Sequence, residues 1–134
     1  MSRVLLDTTY LVDAERCGLG LDQAIDDEDD VAIAAVTVAE LRVGALRAAG
    51  KRRTARCAFV DDVVQALDVV DYGVEVAEAH AELLVAVRAQ GRPRGAHDLI
   101  IAASALATDR EVVSADSSAF RDLPGIMIRV RRSD

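Results

Sequence analysis

The strongest hydrophobic pattern in the chain is Leu99–Ala107, where Leu99, Ile100, Ile101, Ala102, Ala103, Ala105, Leu106 and Ala107 leave almost no polar side. A run this short falls well below the roughly 20 residues that cross a bilayer, so it predicts a helix buried all round inside a folded domain. Asp98 opens it, and Thr108–Arg110 end it with polar residues. Residues 111–114 (EVVS) predict a short buried strand, followed by Asp116 in a serine-rich turn that leads to Phe120.

The rest of the chain alternates in the same way. Residues 3–6 (RVLL) predict a buried strand that ends at Asp7, and residues 8–12 a short helix. A second helix is expected over 21–25, and the acidic block 26–30 (DDEDD) reads as a surface loop. Residues 31–35 give the second strand. Thr37 and Glu40, three apart before an apolar-periodic segment, match a capping box, with the helix running on to a stop at Gly50. A further helix is expected over 52–66, with Ala55, Phe59, Val63 and Ala66 on one face, and a third strand over 67–71. The helix over 74–89 carries two apolar stripes: Ala77, Ala81, Leu84 and Val85, and Val76, His80, Leu83 and Val87. That is more than one buried face needs, so it indicates either a subunit contact or a deeply set helix. After a Gly/Pro loop at 91–95, the last strand falls at 126–130.

Strands alternating with helices predict an α/β layer structure with a mostly parallel sheet of about five strands, and 134 residues suffice for one domain with a real core. With 51% hydrophobic residues the chain is not a disordered one. No apolar run reaches bilayer length, and Asp7 interrupts the N-terminus before a signal-peptide core could form, so a cytoplasmic location is expected. Cys17 and Cys57 form neither a metal pair by spacing nor a disulfide framework. The net charge of −7 argues against a general nucleic-acid binder, yet the arginines are clustered. Arg42, Arg47, Lys51, Arg52, Arg53 and Arg56 lie in a stretch with no acid, and Arg88, Arg92 and Arg94 form a second such stretch. Each alone is consistent with a solvated face.

Parallel sheets place their sites beyond the carboxyl ends of the strands. Asp7 and Asp116 each follow a strand, and Glu40 and Asp98 each fall in the first turn of a helix, so all four can reach one rim. Any one of them has an ordinary structural explanation, as a helix cap or as an offset to a helix dipole. Convergence is different. Two carboxylates about 4 Å apart repel by about 4 kcal/mol at an effective dielectric of 20, whereas a dipole returns only about 0.3–1 kcal/mol per acid. Four converging acids therefore either stay partly protonated or surround a divalent cation, and hard oxygens suit Mg²⁺ or Mn²⁺. A metal so held can activate water against a phosphodiester. His80 and His97 read as surface histidines rather than catalytic groups, since adjacent helical residues point to different sides.

Taken together these residues resemble the PIN-domain ribonucleases, and among them the VapC toxins of bacterial toxin–antitoxin pairs. The likeness runs from Val4 to Val130. It is carried by Leu5-Leu6-Asp7-Thr8-Thr9, by Thr37-Val38-Ala39-Glu40-Leu41-Arg42-Val43-Gly44, by Asp98-Leu99-Ile100-Ile101-Ala102-Ala103-Ser104-Ala105 and by Val113-Ser114-Ala115-Asp116, with Phe120 and Leu123-Pro124-Gly125 similar to the family's closing segment. The resemblance implies a three-layer α/β/α fold and a metal-binding quartet of Asp7, Glu40, Asp98 and Asp116, with Thr8 and Ser114 in supporting positions. It further implies Mg²⁺- or Mn²⁺-dependent cleavage of RNA, in transfer or ribosomal RNA loops, a homodimer, and a cognate VapB-like antitoxin. Arg42, Arg47, Arg92 and Arg94 are then candidates for RNA or antitoxin contacts. Ser118 and Ala119 lack an acid that many relatives carry before the phenylalanine, which weakens the case for a second metal.

Two other readings stay open at this level. A receiver or haloacid-dehalogenase-type phosphotransfer enzyme also begins with a strand ending in an acid, with Lys51 as the only available lysine. A PIN-like scaffold could bind an ion or partner without cutting anything.

Overall fold

The computed structural model describes residues 2–20, 25–26 and 28–131. The helix expected over 21–25 lies almost wholly outside them. The chain runs β1 (Arg3–Leu6), α1 (Thr8–Arg16), β2 (Asp30–Ala34), α2 (Ala35–Arg47), α3 (Gly50–Ala66), β3 (Asp68–Val70), α4 (Val74–Gln90), α5 (Ala96–Ala107), β4 (Glu111–Ser114), a 3₁₀ turn (Ser117–Ala119) and β5 (Ile128–Val130).

The five strands form one sheet in the order β3-β2-β1-β4-β5, and every pairing is parallel. Leu5 of the central strand stands opposite Ala32 on one side and Val112 on the other. Alternation along the strands sends side chains to two cores. Leu5, Ala34 and Val112 pack with Leu83 and Val87 of α4, Leu99 and Ile101 of α5, and Phe120. Val4, Leu6, Ile33 and Val113 pack on the opposite face with Tyr10 and Leu11 of α1, Leu41 of α2, and Val60 and Val63 of α3. The result is the three-layer α/β/α arrangement expected from the resemblance. The helix read as buried all round is so: Leu99, Ile101, Ala102, Ala103, Ser104 and Ala105 of α5 are all buried.

Tertiary packing shifts several boundaries. β2 covers residues 30–34 and α2 begins at once at Ala35, with Ala34 as its N-cap and no side-chain cap hydrogen bond. The capping box at Thr37 and Glu40 is therefore not formed; Thr37 lies inside the first turn, fully buried, and Glu40 reaches elsewhere. Gly50 does not stop α2, which ends at Arg47; it opens α3 with φ of 60°, a left-handed backbone that glycine adopts without strain. On α3 the buried residues are Val60 and Val63, while Ala55 and Ala66 face solvent. On α4 the core takes Val76, Leu83 and Val87, with Leu84 of the other stripe packed half-buried against it, while Ala81 and Val85 face outward, Val85 67% exposed.

The opposite end of the sheet is tied by Arg110, which the sequence marks only as a helix-ending polar residue. Its guanidinium donates to the backbone oxygens of Val4 at 3.1 Å and Asp30 at 2.7 Å and to the Asp30 carboxylate at 3.2 Å, and its side chain is 6% exposed. Arg3 adds a second bond to the same carboxylate at 2.8 Å. One arginine thus pins the starts of β1 and β2 beside β4. Replacing it strands buried acceptors, so Arg110→Met should lower unfolding stability by about 2–3 kcal/mol, read from urea denaturation. A loss under about 0.5 kcal/mol, the ordinary range for a surface change, would contradict this assignment.

Candidate active site

The order β2-β1-β4 puts the reversal of the chain's path beside the central strand, and the crevice it leaves opens at the carboxyl ends of β1 and β4. Asp7 is the first residue past β1. Its backbone N–H donates to Val113 at 3.0 Å, extending the ladder toward β4, and its own side chain caps α1 by accepting from the Tyr10 N–H at 2.8 Å. The Thr9 hydroxyl stands 2.9 Å from both carboxylate oxygens, and the Ser114 hydroxyl is 2.6 Å from Oδ2. Ser114 also lies 2.7 Å from the backbone oxygen of Asp116 and accepts from the Asp116 N–H, so one hydroxyl joins the ends of β1 and β4. Asp7 is only 2% exposed. Burial raises its pKa above the ordinary 3.8, against the lowering effect of the Ser114, Tyr10 and Thr9 hydrogen bonds and with a further upward push from Asp98.

Glu40 sits on α2, where Thr8 holds it: Thr8 Oγ1 donates to Glu40 Oε1 at 2.7 Å and is 3.2 Å from Thr37 Oγ1. Asp98 stands in the first turn of α5, partly buried. A Cβ at Gly95 would come within 2.9 Å of Asp98 Oδ2, so the bare glycine before the helix is what lets this carboxylate lie where it does. Burial raises the Asp98 pKa above 3.8; the Glu40 and Asp116 charges raise it further, and His97 opposes them. Asp116 is exposed and caps the 3₁₀ turn, its Oδ1 accepting from the Ser118 N–H at 2.9 Å.

Asp7, Glu40 and Asp98 line one open cavity of about 360 Å³, together with Thr8, Thr9 and Asp13. Asp116 stands at its edge, near enough for Asp98 to feel its charge. Three elements therefore deliver three of the four acids named from the sequence to one place, and the fourth borders it. Among the described residues no three acids, histidines or cysteines close tightly enough to make a ready cage for an ion. The donor chemistry nevertheless fits a hard divalent cation: the acceptor groups on the wall are carboxylate and hydroxyl oxygens, with the Arg16 guanidinium beside them, and two of the carboxylates are held upward in pKa by burial and mutual charge.

Several participants were not singled out from the sequence. Thr9, rather than Thr8, braces Asp7, and Thr8 braces Glu40. His97, read as a surface histidine, places Nδ1 3.4 Å from Glu40 Oε2. Asp13 and Arg16 also line the cavity. Their signal was present in the spacing, since Thr9, Asp13 and Arg16 fall at i, i+4 and i+7 of a helix that starts beside Asp7. Arg42, Arg47, Arg92 and Arg94, the arginines that the sequence offers for RNA or antitoxin contacts, lie elsewhere. Arg42 is bonded to Asp61 at 2.7 Å, Arg92 faces Asp122 at 3.4 Å, Arg94 donates to the backbone oxygens of Arg92 and Arg121, Arg47 is exposed, and none lines this cavity. Lys51, which a phosphotransfer site would need beside Asp7, is an exposed residue of α3 and is not on the cavity wall either.

The raised Asp98 pKa has a measurable consequence. The folded chain holds this proton to higher pH than the unfolded chain does, so ionisation of Asp98 subtracts stability as pH rises above 3.8. In metal-free buffer Asp98→Asn should raise the melting temperature at pH 7, with the gain closing as pH falls below 3.8. An unchanged or lower melting temperature at pH 7 would contradict the crowding of charge in this cavity.

Comparison with known proteins agrees with this geometry. The PIN domain family model matches residues 4–126. Ribonuclease VapC of Rickettsia bellii (strain RML369-C) is 23% identical over 126 residues, 93% of each chain. Among solved structures, VapBC2 from Rickettsia felis, bound to a DNA fragment from its promoter, superposes with a TM-score of 0.83 at 21% identity over 96% of this chain and 98% of that one. VapBC-5 from Mycobacterium tuberculosis, a member of the VapBC family of toxin–antitoxin systems, gives a TM-score of 0.76 at 30% identity over 99% of this chain and 100% of that one. A family model spanning nearly the whole length, with a 30% identical relative covered end to end, means that this chain belongs to the PIN-domain family, in its VapC branch.

Proposed function

We propose that this protein is a metal-dependent endoribonuclease and the toxin of a VapBC-type pair, cutting RNA at the Asp7–Glu40–Asp98 cavity. The observation that carries the reading is the delivery of three carboxylates, from the end of β1, from α2 and from α5, to one open cavity beyond the sheet. Asp7, Glu40 and Asp98 would hold Mg²⁺ or Mn²⁺, with Asp116 contributing charge from the edge. A divalent ion bound by carboxylates supplies an activated water and offsets charge on the phosphodiester.

The protein's own residues do the positioning. Ser114, Thr9 and the Tyr10 N–H fix both oxygens of Asp7, and Thr8 fixes one oxygen of Glu40 while leaving Oε2 turned toward His97. No covalent nucleophile is required, because Ser114 is buried and committed to Asp7 and Asp116. The partners follow the same reading: a VapB-like antitoxin that covers the acidic cavity, and a second copy of the chain, for which the exposed Ala81 and Val85 of α4 are apolar surface at hand.

Asp7→Asn and Asp98→Asn should each reduce cleavage of total cellular RNA at least about a hundredfold, the scale on which loss of one charge-stabilising group acts. Far-UV circular dichroism should stay that of the wild type. Mn²⁺ titration by calorimetry should show binding to the wild type that Asp98→Asn weakens. Undiminished cleavage in excess chelator would overturn the metal dependence, and metal binding with no cleavage of any cellular RNA would favour a non-catalytic scaffold.

A further inference from the structure

Arg16, the last residue of α1, stands on the wall of the acidic cavity and also of two adjoining hollows, of about 190 Å³ and 390 Å³. The first leads from Glu40 along Leu41 and Gly44 of α2 to Phe59 of α3. The second lies between Gly18–Gly20 and Arg52, Arg56 and Phe59. Glu15, Arg16, Arg56 and Phe59 border both hollows, so together these make a trough that starts at the carboxylates and ends on α3.

Beyond Glu40 the trough is lined by Arg16, Arg52 and Arg56 against one acid, Glu15, so its local charge is opposite to that of the molecule. The chain carries −7 overall, yet Arg16 and Arg52 are exposed and have no ion-pair partner among the described residues. Among the described residues Arg56 meets Glu15, at 3.6 Å, and the Gly44 backbone oxygen. Arg16 thus stands beside three carboxylates and, among the described residues, pairs with none of them. Guanidinium groups fit phosphate oxygens, and an aromatic ring between them offers a stacking surface for an unpaired base.

We propose that this trough seats the single-stranded RNA that flanks the scissile bond, with phosphates on Arg16 and Arg52 and a base against Phe59. The proposal rests on the ribonuclease reading and adds the path of the substrate to it. Charge favours RNA over a protein segment as the occupant. An apolar peptide would bury two unpaired guanidinium groups, whereas a phosphate chain supplies their counter-charges and continues directly into the cavity where the phosphodiester must lie.

The test uses the full chain carrying Asp7→Asn, so that RNA is bound but not cut, with a short unstructured fluorescein-labelled RNA followed by anisotropy over a series of KCl concentrations. Arg16→Gln and Arg52→Gln should each weaken binding about tenfold and flatten the log–log salt slope by about 0.7. Phe59→Leu should weaken it about tenfold with the slope unchanged, the mark of lost stacking rather than lost charge. Arg88→Gln, on exposed α4 at the other face of the sheet, should change neither. Should Phe59→Leu unfold the protein, the two exposed arginine variants still decide the matter. If they bind RNA like the parent while the otherwise wild-type chain cleaves RNA normally, the substrate lies elsewhere and the trough proposal is wrong. The same holds if they lose only antitoxin binding, which would make the trough a protein partner's seat. If the wild type neither binds nor cuts RNA, the ribonuclease reading itself fails.

Discussion

The structure depends on one buried carboxylate. Asp7 sits where the central strand of a parallel sheet ends, 2% exposed, and it stays there because three donors from two segments surround it, the Thr9 hydroxyl and Tyr10 N–H of α1 and the Ser114 hydroxyl of β4. Its oxygens cap α1, engage Thr9, and through Ser114 reach the end of β4. The same acid is therefore both the helix cap that a structural reading of the sequence allows and the deepest group of the acidic cavity. These roles support each other: the cap fixes the direction of α1, and the direction of α1 brings Asp13 and Arg16 round to the cavity wall.

Around that point the fold works as a device for holding like charges together. A parallel sheet directs successive strand ends to one rim, α2 and α5 begin close to that rim, and hydroxyls rather than cations brace Asp7 and Glu40. Hydroxyl donors hold a carboxylate in place without cancelling its charge, so the cavity stays negative while remaining ordered. Burial and mutual repulsion push Asp7 and Asp98 toward protonation, which is the electrostatic cost of an anionic site and the reason a divalent cation suits it. The opposite end of the sheet shows the contrasting solution, where Arg110 and Arg3 neutralise Asp30 directly.

Much of this was legible in the sequence, and the parts that were not share a cause. Strand β1 with its terminal acid, the all-round apolar α5 and the strand before Asp116 are short, strongly patterned segments whose local preference agrees with their final burial. The capping box at Thr37 and Glu40 failed because β2 pairs only as far as Ala34 and the chain turns into helix at once. That puts Thr37 inside the helix and frees Glu40 for Thr8. Helical periodicity turns His97 away from Asp98, yet its partner Glu40 is on α2, a contact that periodicity cannot reveal. The basic stretch after Glu40 was visible as composition. Which of its arginines are spent on ion pairs, as Arg42 is on Asp61, and which remain open, as Arg52 does, is decided only by the packing of α2 against α3.

The central claim is that one hard divalent cation belongs among carboxylates drawn from β1, α2 and α5. Anomalous scattering from a crystal of the wild-type protein soaked in Mn²⁺ tests it most directly. The account predicts a single strong peak within bonding distance of Asp7 and Asp98 oxygens and beside Glu40. Saturating Mn²⁺ that leaves this cavity without a peak, or that collects only at surface acids elsewhere, would contradict it.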